Sequence, residues 1–118
     1  MVEKPYLWIV FMHFPSQLEA RFNKWYDEVH VPLVTGGGHF SSLTRYCLTD
    51  AVQSNLTKYM AVCEFRDEET FRDWLVSEAR AEAAADTAET WREQDVEFWP
   101  KGFYEPYMTY DLHGRAGK

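Results

Sequence analysis

The first apolar run of the chain covers residues 6–14, "YLWIVFMHF", and is hydrophobic at nearly every position. Its β-branched and aromatic side chains favour a strand over a helix. Continuous rather than alternating apolarity indicates a strand that is buried on both faces. Because the helices of so small a chain can cover only one face of a sheet, we expect a partner to cover the other.

The segment that follows has the spacing of an amphipathic helix. Ser16 and Glu19 have the spacing of a capping box at a helix N-terminus. Val31 precedes a proline, which disfavours the helical region, so we expect the helix to end or kink near His30. The glycines at 36–38 then form a flexible connection. The apolar stripe consists of Leu18, Phe22, Trp25, Val29 and Leu33.

Two further strands are predicted over residues 40–49 and 58–65, with a turn over residues 50–55 between them. Asp67 is placed to cap a second helix. The buried side of that helix is expected to carry Phe71, Trp74, Leu75 and Ala79.

The C-terminal third predicts a helix and a last strand. Residues 81–98 are rich in Ala and Glu and end in aromatic residues, which predicts more helix followed by an aromatic loop. Residues 102–112 read as a strand that Pro106 confines to a sheet edge or a bulge. The last six residues, 113–118, are expected to form a flexible tail.

The order of these elements is β-α-β-β-α-β, the split arrangement of ferredoxin-like folds. We therefore predict one α+β domain over residues 1–112 with a four-stranded antiparallel sheet. Helices on one face and apolar strands on the other predict a homodimer in which two sheets close against each other.

Composition narrows the partners and the setting. The net charge of −7 and the absence of any Lys/Arg cluster argue against nucleic acid. The N-terminal apolar run is too short to span a membrane. Two cysteines without metal-type spacing indicate reduced thiols in a cytoplasmic protein. The aromatic share of 17% exceeds what a small core needs, so some rings are expected to line a binding site or an interface. Among them, Trp25 is expected to contact the substrate.

His30 is the leading candidate for catalysis. It lies at the border of the apolar stripe, where it could face a cavity between helix and sheet. In the last helical turn it would feel the negative end of the helix dipole, which favours the imidazolium form. Such a histidine can act as a general acid or base. The alternative is a histidine that only bonds to the terminal carbonyl groups of the helix.

Tyr46 and Glu64 form a second candidate pair. If the hairpin turn centres near Asn55, Tyr46 faces Glu64 across the two strands and Cys47 faces Cys63. A carboxylate on a largely apolar face has a raised pKa unless it is bonded, which suits acid–base work. The alternative is that Glu64 reaches solvent or pairs with an arginine at the margin of the sheet. A slip of one residue would dissolve the pairing.

The other histidines flank the same region. His13 ends the first strand, and His39 follows the three glycines. The glycines follow a helix and precede a strand, which fits a mobile lid that swings His39 and Phe40 over a pocket floored by Tyr26 and His30. No pair of histidines has metal-ligand spacing, so we predict no metal.

The segment "FNKWYDEVHVPLV" and the strand "SLTRYCL" give the chain a family resemblance. With this order of elements, the sequence resembles the dimeric α+β barrel superfamily, and within it the EthD-like and methylmuconolactone-isomerase-like proteins. The resemblance implies a ferredoxin-like dimer with a small-molecule pocket, and Cys63 matches a position that lies near that pocket.

These observations predict a cofactor-independent lyase or isomerase that moves protons on an aromatic, polyketide-like or lactone substrate. His30 would act as base or acid, Tyr46 as a hydrogen-bond donor to an oxyanion, and Glu64 or His13 would orient one of them. Two alternatives stay open: a cofactor-free monooxygenase of the same fold, and a dimer that binds a ligand or haem without turnover.

Overall fold

The computed structural model describes residues 5–50, 56–92, 95–110 and 112, and for residues 99–101 the backbone alone. Four antiparallel strands form one sheet in the order β2-β3-β1-β4, which confirms the predicted α+β class and the four-stranded sheet. Residues 51–55 of the predicted turn and the predicted tail, 113–118, lie outside the described residues. The strands are β1 (Tyr6–His13), β2 (Phe40–Cys47), β3 (Tyr59–Phe65) and β4 (Glu97–Tyr104).

The helices all pack on one face of this sheet. A short 3₁₀ turn, Ser16–Leu18, leads into the first of them. The helical segments are α1 (Glu19–Trp25), a π-helical turn (Tyr26–His30), α2 (Val31–Val34), α3 (Glu68–Leu75) and α4 (Glu78–Thr90). We call the sheet face under the helices the inner face and the opposite one the outer face.

The core lies between the inner face and the helices. Every second residue of β3, namely Ala61, Cys63 and Phe65, is buried there. The fully buried Trp74 of α3 packs its ring 4.6 Å from that of Trp8 on β1. Large aromatic side chains close this core because each removes much apolar surface from water.

The first helix departs from its predicted form at both ends. The predicted capping box is wrong: Ser16 lies in the 3₁₀ turn, and the residue that precedes α1, Leu18, has no side-chain cap. Val31 has helical angles, φ −60° and ψ −48°, so the helix does not end near His30 but continues to Val34. What changes near His30 is the hydrogen-bond pattern, because the Val31 amide bonds to the carbonyl of Tyr26, five residues back.

The predicted second helix is two helices. The Asp67 cap is confirmed, since its Oδ1 accepts a hydrogen bond of 2.8 Å from the Thr70 amide. The helix ends at Leu75, however, and Ser77 caps α4 by accepting a hydrogen bond from the Arg80 amide. Ala79 therefore belongs to α4 and not to α3.

The register of the hairpin also differs from the prediction. Tyr46 pairs with Met60, and Cys47 pairs with Tyr59, so neither predicted cross-strand pair forms. Glu64 instead lies opposite Ser42, in the same register and next to an irregularity between Phe40 and Ser42. The shift preserves the alternation of faces, so Tyr46 and Glu64 still share one face of the sheet.

The last strand lies earlier than predicted. β4 covers Glu97–Tyr104 and pairs along the free side of β1, whereas residues 102–112 were expected to form it. It is an edge strand, which agrees with the predicted position in the sheet. An edge strand tolerates the proline at position 100 because one of its sides needs no partner amide.

Candidate functional site

A cavity of about 350 Å³ lies between the inner face, the first helix and α4. Aromatic rings form much of its wall, and small side chains of α4 form one side, so the space stays open where larger residues would fill it. The rings are those of Trp8, Tyr26, Phe40, Trp74, Trp91 and Phe98. The α4 positions are Ala83, Ala84, Thr87 and Ala88.

His30 lines this cavity. The π-helical turn places Tyr26, His30 and Val34 in one inward line and leaves Val29 38% exposed. The imidazole lies 4.9 Å from the ring of Trp25 and 4.8 Å from that of Tyr26. Its buried Nδ1 has no hydrogen-bond partner among the described residues.

The expectation that the environment of His30 favours the imidazolium form is wrong. Burial lowers the pKa of His30 to about 4, the carboxylate of Asp86 acts in the opposite direction, and Arg45 lowers it a little further. Because the helix continues to Val34, the imidazole does not lie in its last turn. At neutral pH this histidine is therefore neutral, with nitrogen atoms that can accept or donate a proton.

Two further ionisable side chains line the same wall. Tyr26 is only 4% exposed, and burial raises the pKa of its phenol. Burial likewise raises the pKa of the Cys63 thiol to about 12. Both groups are protonated at neutral pH, so Tyr26 is a hydrogen-bond donor and Cys63 is an inert thiol rather than a nucleophile.

Trp25 lies behind His30 and is not in the cavity wall. Its indole Nε1 donates a hydrogen bond of 2.8 Å to Oδ2 of Asp86 on α4. This bond ties α1 to α4 and holds a negative charge near the imidazole. Trp25 was predicted to touch substrate, but the structure gives it contacts that position His30.

The sequence did not reveal that Arg45 supports the ring of Tyr26. The guanidinium lies 4.3 Å from the centre of the Tyr26 ring and donates hydrogen bonds to Asn23 and Asp27 on the first helix. A cation over a ring face is an attractive contact. Arg45 therefore fixes the ring of Tyr26 between the sheet and the cavity.

Tyr46 and Glu64 lie on the outer face, so the structure does not bring them together with His30. Tyr46 is 53% exposed and borders a groove of about 720 Å³ on that face, together with Phe11 and Met60. Glu64 accepts a hydrogen bond of 3.0 Å from Ser42. The tyrosine in the cavity with His30 is Tyr26.

The remaining predicted positions divide between the cavity wall and its surroundings. Phe40 lines the cavity, with its ring 5.3 Å from that of Trp74. His13 is exposed at the end of β1, beside Glu97, and lies outside the cavity wall. His39 also lies outside that wall. A Cβ added to Gly37 would come within 2.7 Å of its imidazole, so the glycine leaves room for that ring.

Two arginines complete the cavity and were not among the predicted site residues. Arg80 lies in the first turn of α4, and Arg92 follows the end of that helix. The sequence signal that could have found them is the stretch of small residues between the two arginines. Such a stretch is typical of a surface helix, and only the fold shows that its small residues face the sheet.

Within the described residues there is no group of three or more His, Cys, Asp or Glu placed to hold a metal ion. None of the described helices has the length and apolarity needed to cross a membrane.

The sheet order and the helices on one face define a protein with a ferredoxin-like α+β fold. The chain belongs to the family described as a domain of unknown function (DUF4286), whose model matches residues 5–100. No curated protein matches the sequence significantly.

Solved structures with the same fold include proteins of several kinds. The hydroxynitrile lyase from Passiflora edulis superposes with a TM-score of 0.69 and 15% identity, over 93% of this chain and 100% of that one. An ethyl tert-butyl ether D (EthD) family protein from Bacillus halodurans C-125 gives 0.66 and 12%, over 87% and 98%. A dimeric ferredoxin-like protein of unknown function from Thermobifida fusca YX gives 0.61 and 10%, over 88% and 92%. These matches confirm the fold resemblance.

Proposed function

We propose that the chain is a cofactor-independent enzyme that transfers protons on a small planar molecule held in the cavity, with His30 as its acid–base group. The observation that carries the proposal is a neutral imidazole in the wall of an aromatic cavity, with a buried nitrogen that lacks a partner among the described residues. Apolar walls exclude water, which strengthens every polar interaction with a bound molecule. The likeness to a hydroxynitrile lyase supports small-molecule chemistry in this fold.

The site supplies the parts of a simple proton transfer. Neutral His30 accepts a proton from the substrate and later returns it to a different atom. The nearby carboxylate of Asp86 stabilises the imidazolium that forms in between. The protonated phenol of Tyr26 takes the donor role predicted for Tyr46 and bonds to the oxygen on which negative charge develops.

Two reactions test this proposal without a known substrate. The first is cleavage of mandelonitrile, in which the hydroxyl proton leaves, the bond to cyanide breaks, and benzaldehyde and hydrogen cyanide form. The second is exchange of the α-protons of phenylacetone with deuterium oxide, followed by NMR. We expect the protein to accelerate at least one of them, and His30→Gln to lower that rate about 100-fold or more.

The matched control uses two tyrosines. Tyr26→Phe removes the donor from the cavity and should lower the same rate at least about tenfold. Tyr107→Phe changes a side chain that is 94% exposed and should leave it unaltered. Unchanged turnover in folded His30→Gln would contradict the proposal, and a wild-type rate equal to that of buffer for both reactions would favour binding without turnover.

We also propose that the active form is a homodimer joined through the outer face. That face carries half-buried apolar side chains, including Leu7, Ile9 and Val62, with no helix of the described chain over them. The predicted sheet-to-sheet contact would remove them from water. The likeness to a dimeric ferredoxin-like protein supports this arrangement.

A further inference from the structure

The polar groups in the cavity wall are mainly hydrogen-bond donors. The indole nitrogens of Trp8 and Trp91 are buried and have no acceptor within the described part of the chain. Trp91 is only 7% exposed, so water does not readily satisfy its N–H group. A buried donor without a partner is costly, and it favours a ligand that brings an acceptor.

The charged groups of the wall are both cationic. Arg80 and Arg92 line the cavity near the two ends of α4, and among the described lining residues there is no Asp or Glu. The carboxylate of Asp86, which acts on His30, accepts the hydrogen bond of the Trp25 indole and lies outside the wall. The electrostatic character of the cavity is thus opposite to that of the chain, whose net charge is −7.

Neither arginine is neutralised by the described residues. The ion pairs of the described chain use Arg45, Lys58, Arg66 and Arg72. Within the described residues, the Arg80 side chain donates one long hydrogen bond, of 3.4 Å, to the carbonyl of Leu75. Guanidinium groups without a carboxylate partner are well suited to bind an oxyanion.

From these observations we infer that the cavity binds a planar organic acid, with its carboxylate at an arginine of α4 and its rings among the tryptophans. This inference deepens the proposed function and names the substrate class of that site. The aromatic walls favour a planar ligand, and the unpartnered indole N–H groups favour a ligand with hydrogen-bond acceptors. The arginines favour a ligand with a negative charge.

The test compares two probes of nearly equal shape, 2-naphthoate and its neutral amide, 2-naphthamide, by calorimetric titration of the full chain. We expect the wild-type protein to bind the carboxylate about tenfold more tightly than the amide. Added salt should weaken binding of the carboxylate only, because the arginines are exposed at the cavity ends.

Three variants assign the preference to the cavity. The double variant Arg80→Gln with Arg92→Gln should bind the carboxylate no better than the amide. Arg72→Gln makes a similar charge change at an exposed α3 residue that pairs with Glu68, and it should keep the full preference. Arg92→Lys alone retains the positive charge and should keep most of the preference for the carboxylate. This variant therefore distinguishes an effect of lost charge from an effect of lost structure.

The outcomes separate this inference from the proposed function. Equal or tighter binding of the amide, a preference that survives in the double variant, or no binding of either probe would overturn the inference. A carboxylate preference that depends on the arginines, in a protein that transfers no protons, would support the inference and contradict the enzyme. Proton transfer by a protein that shows no preference for the carboxylate would support the enzyme and contradict this inference.

Discussion

At the scale of single residues, burial determines the chemistry of His30. The side chain lies among aromatic rings, so its charged form loses hydration, and its pKa falls from 6.5 to about 4. Sequence position indicated that the residue borders the apolar stripe, but it could not give the burial of the ring. That burial depends on α4, which is far from His30 in sequence.

This shift predicts an acid-sensitive stability. Between pH values of about 4 and 6.5, the unfolded chain binds a proton at His30 that the native protein does not. The free energy of unfolding should therefore rise with pH across this window and become flat above it. The contribution of this one group is up to about 3 kcal/mol, from the usual conversion of a pKa difference.

Urea unfolding at a series of pH values measures this effect. His30→Gln has no titrating group at this position. Its free energy of unfolding should therefore rise much less between pH 4.5 and 6.5, a range that lies between the native and unfolded pKa values of His30. The paired carboxylates Glu19 and Asp67 have lowered pKa values and act below this window. Parallel curves for the two proteins would show that His30 is not buried in the native state.

At the scale of elements, the sequence predicted those segments whose signals are local. The first three strands begin within one residue of their predicted starts, and Asp67 caps its helix as expected, because runs of apolar residues and capping residues are signals carried by a few neighbouring positions. The last strand was predicted, but its bounds were wrong, because the proline and glycine of β4 interrupt the strand pattern. The hairpin register was missed because it depends on the geometry of the connection, which the spacing of the two strands in sequence does not give.

The π-helical turn is the element that turns His30 inward. It lies directly before Pro32, which has no amide hydrogen to donate to Glu28 and whose ring would crowd that carbonyl in an ordinary helix. A wider turn relieves this crowding. The periodic pattern of apolar residues does not reveal such a change in hydrogen bonding. The sequence analysis therefore placed Val29 in the apolar stripe, whereas His30 takes the inward position and Val29 is exposed.

Pro32→Ala tests this explanation. Alanine supplies the missing amide, so an ordinary α-helical turn should form, rotate His30 away from Trp25, five residues back, and leave the free energy of unfolding equal or higher. The nuclear Overhauser contacts between these two rings, which lie 4.9 Å apart, should weaken. Unaltered contacts in the variant would show that the proline does not cause the π-helical turn.

At the scale of the whole molecule, topology was predictable and the cavity wall was not. The order of strands and helices follows from patterns that repeat along the chain, and only a few topologies suit that order. The wall needs α4 to lie over the sheet with its small residues inward. Since alanines give no strong apolar signal, the arginines at the ends of that helix read as ordinary surface residues.

The proposed homodimer depends on the apolar outer face of the sheet. Val62→Glu places a charge at the centre of that face and should convert a dimer into a monomer, as measured by light scattering after size-exclusion chromatography. Val76→Glu makes the same change at a position that is 86% exposed beside α3 and should remain dimeric. A monomeric wild-type protein, or a dimeric Val62→Glu variant, would contradict the proposed interface.

The most direct test of the central claim is an NMR titration of the histidine side chains, with the His30 signals assigned by their loss in His30→Gln. A buried, neutral acid–base group in an aromatic cavity should titrate with a pKa near 4. A pKa near the ordinary value of 6.5 would place His30 in solvent and contradict its role as the proton-transfer group of this site.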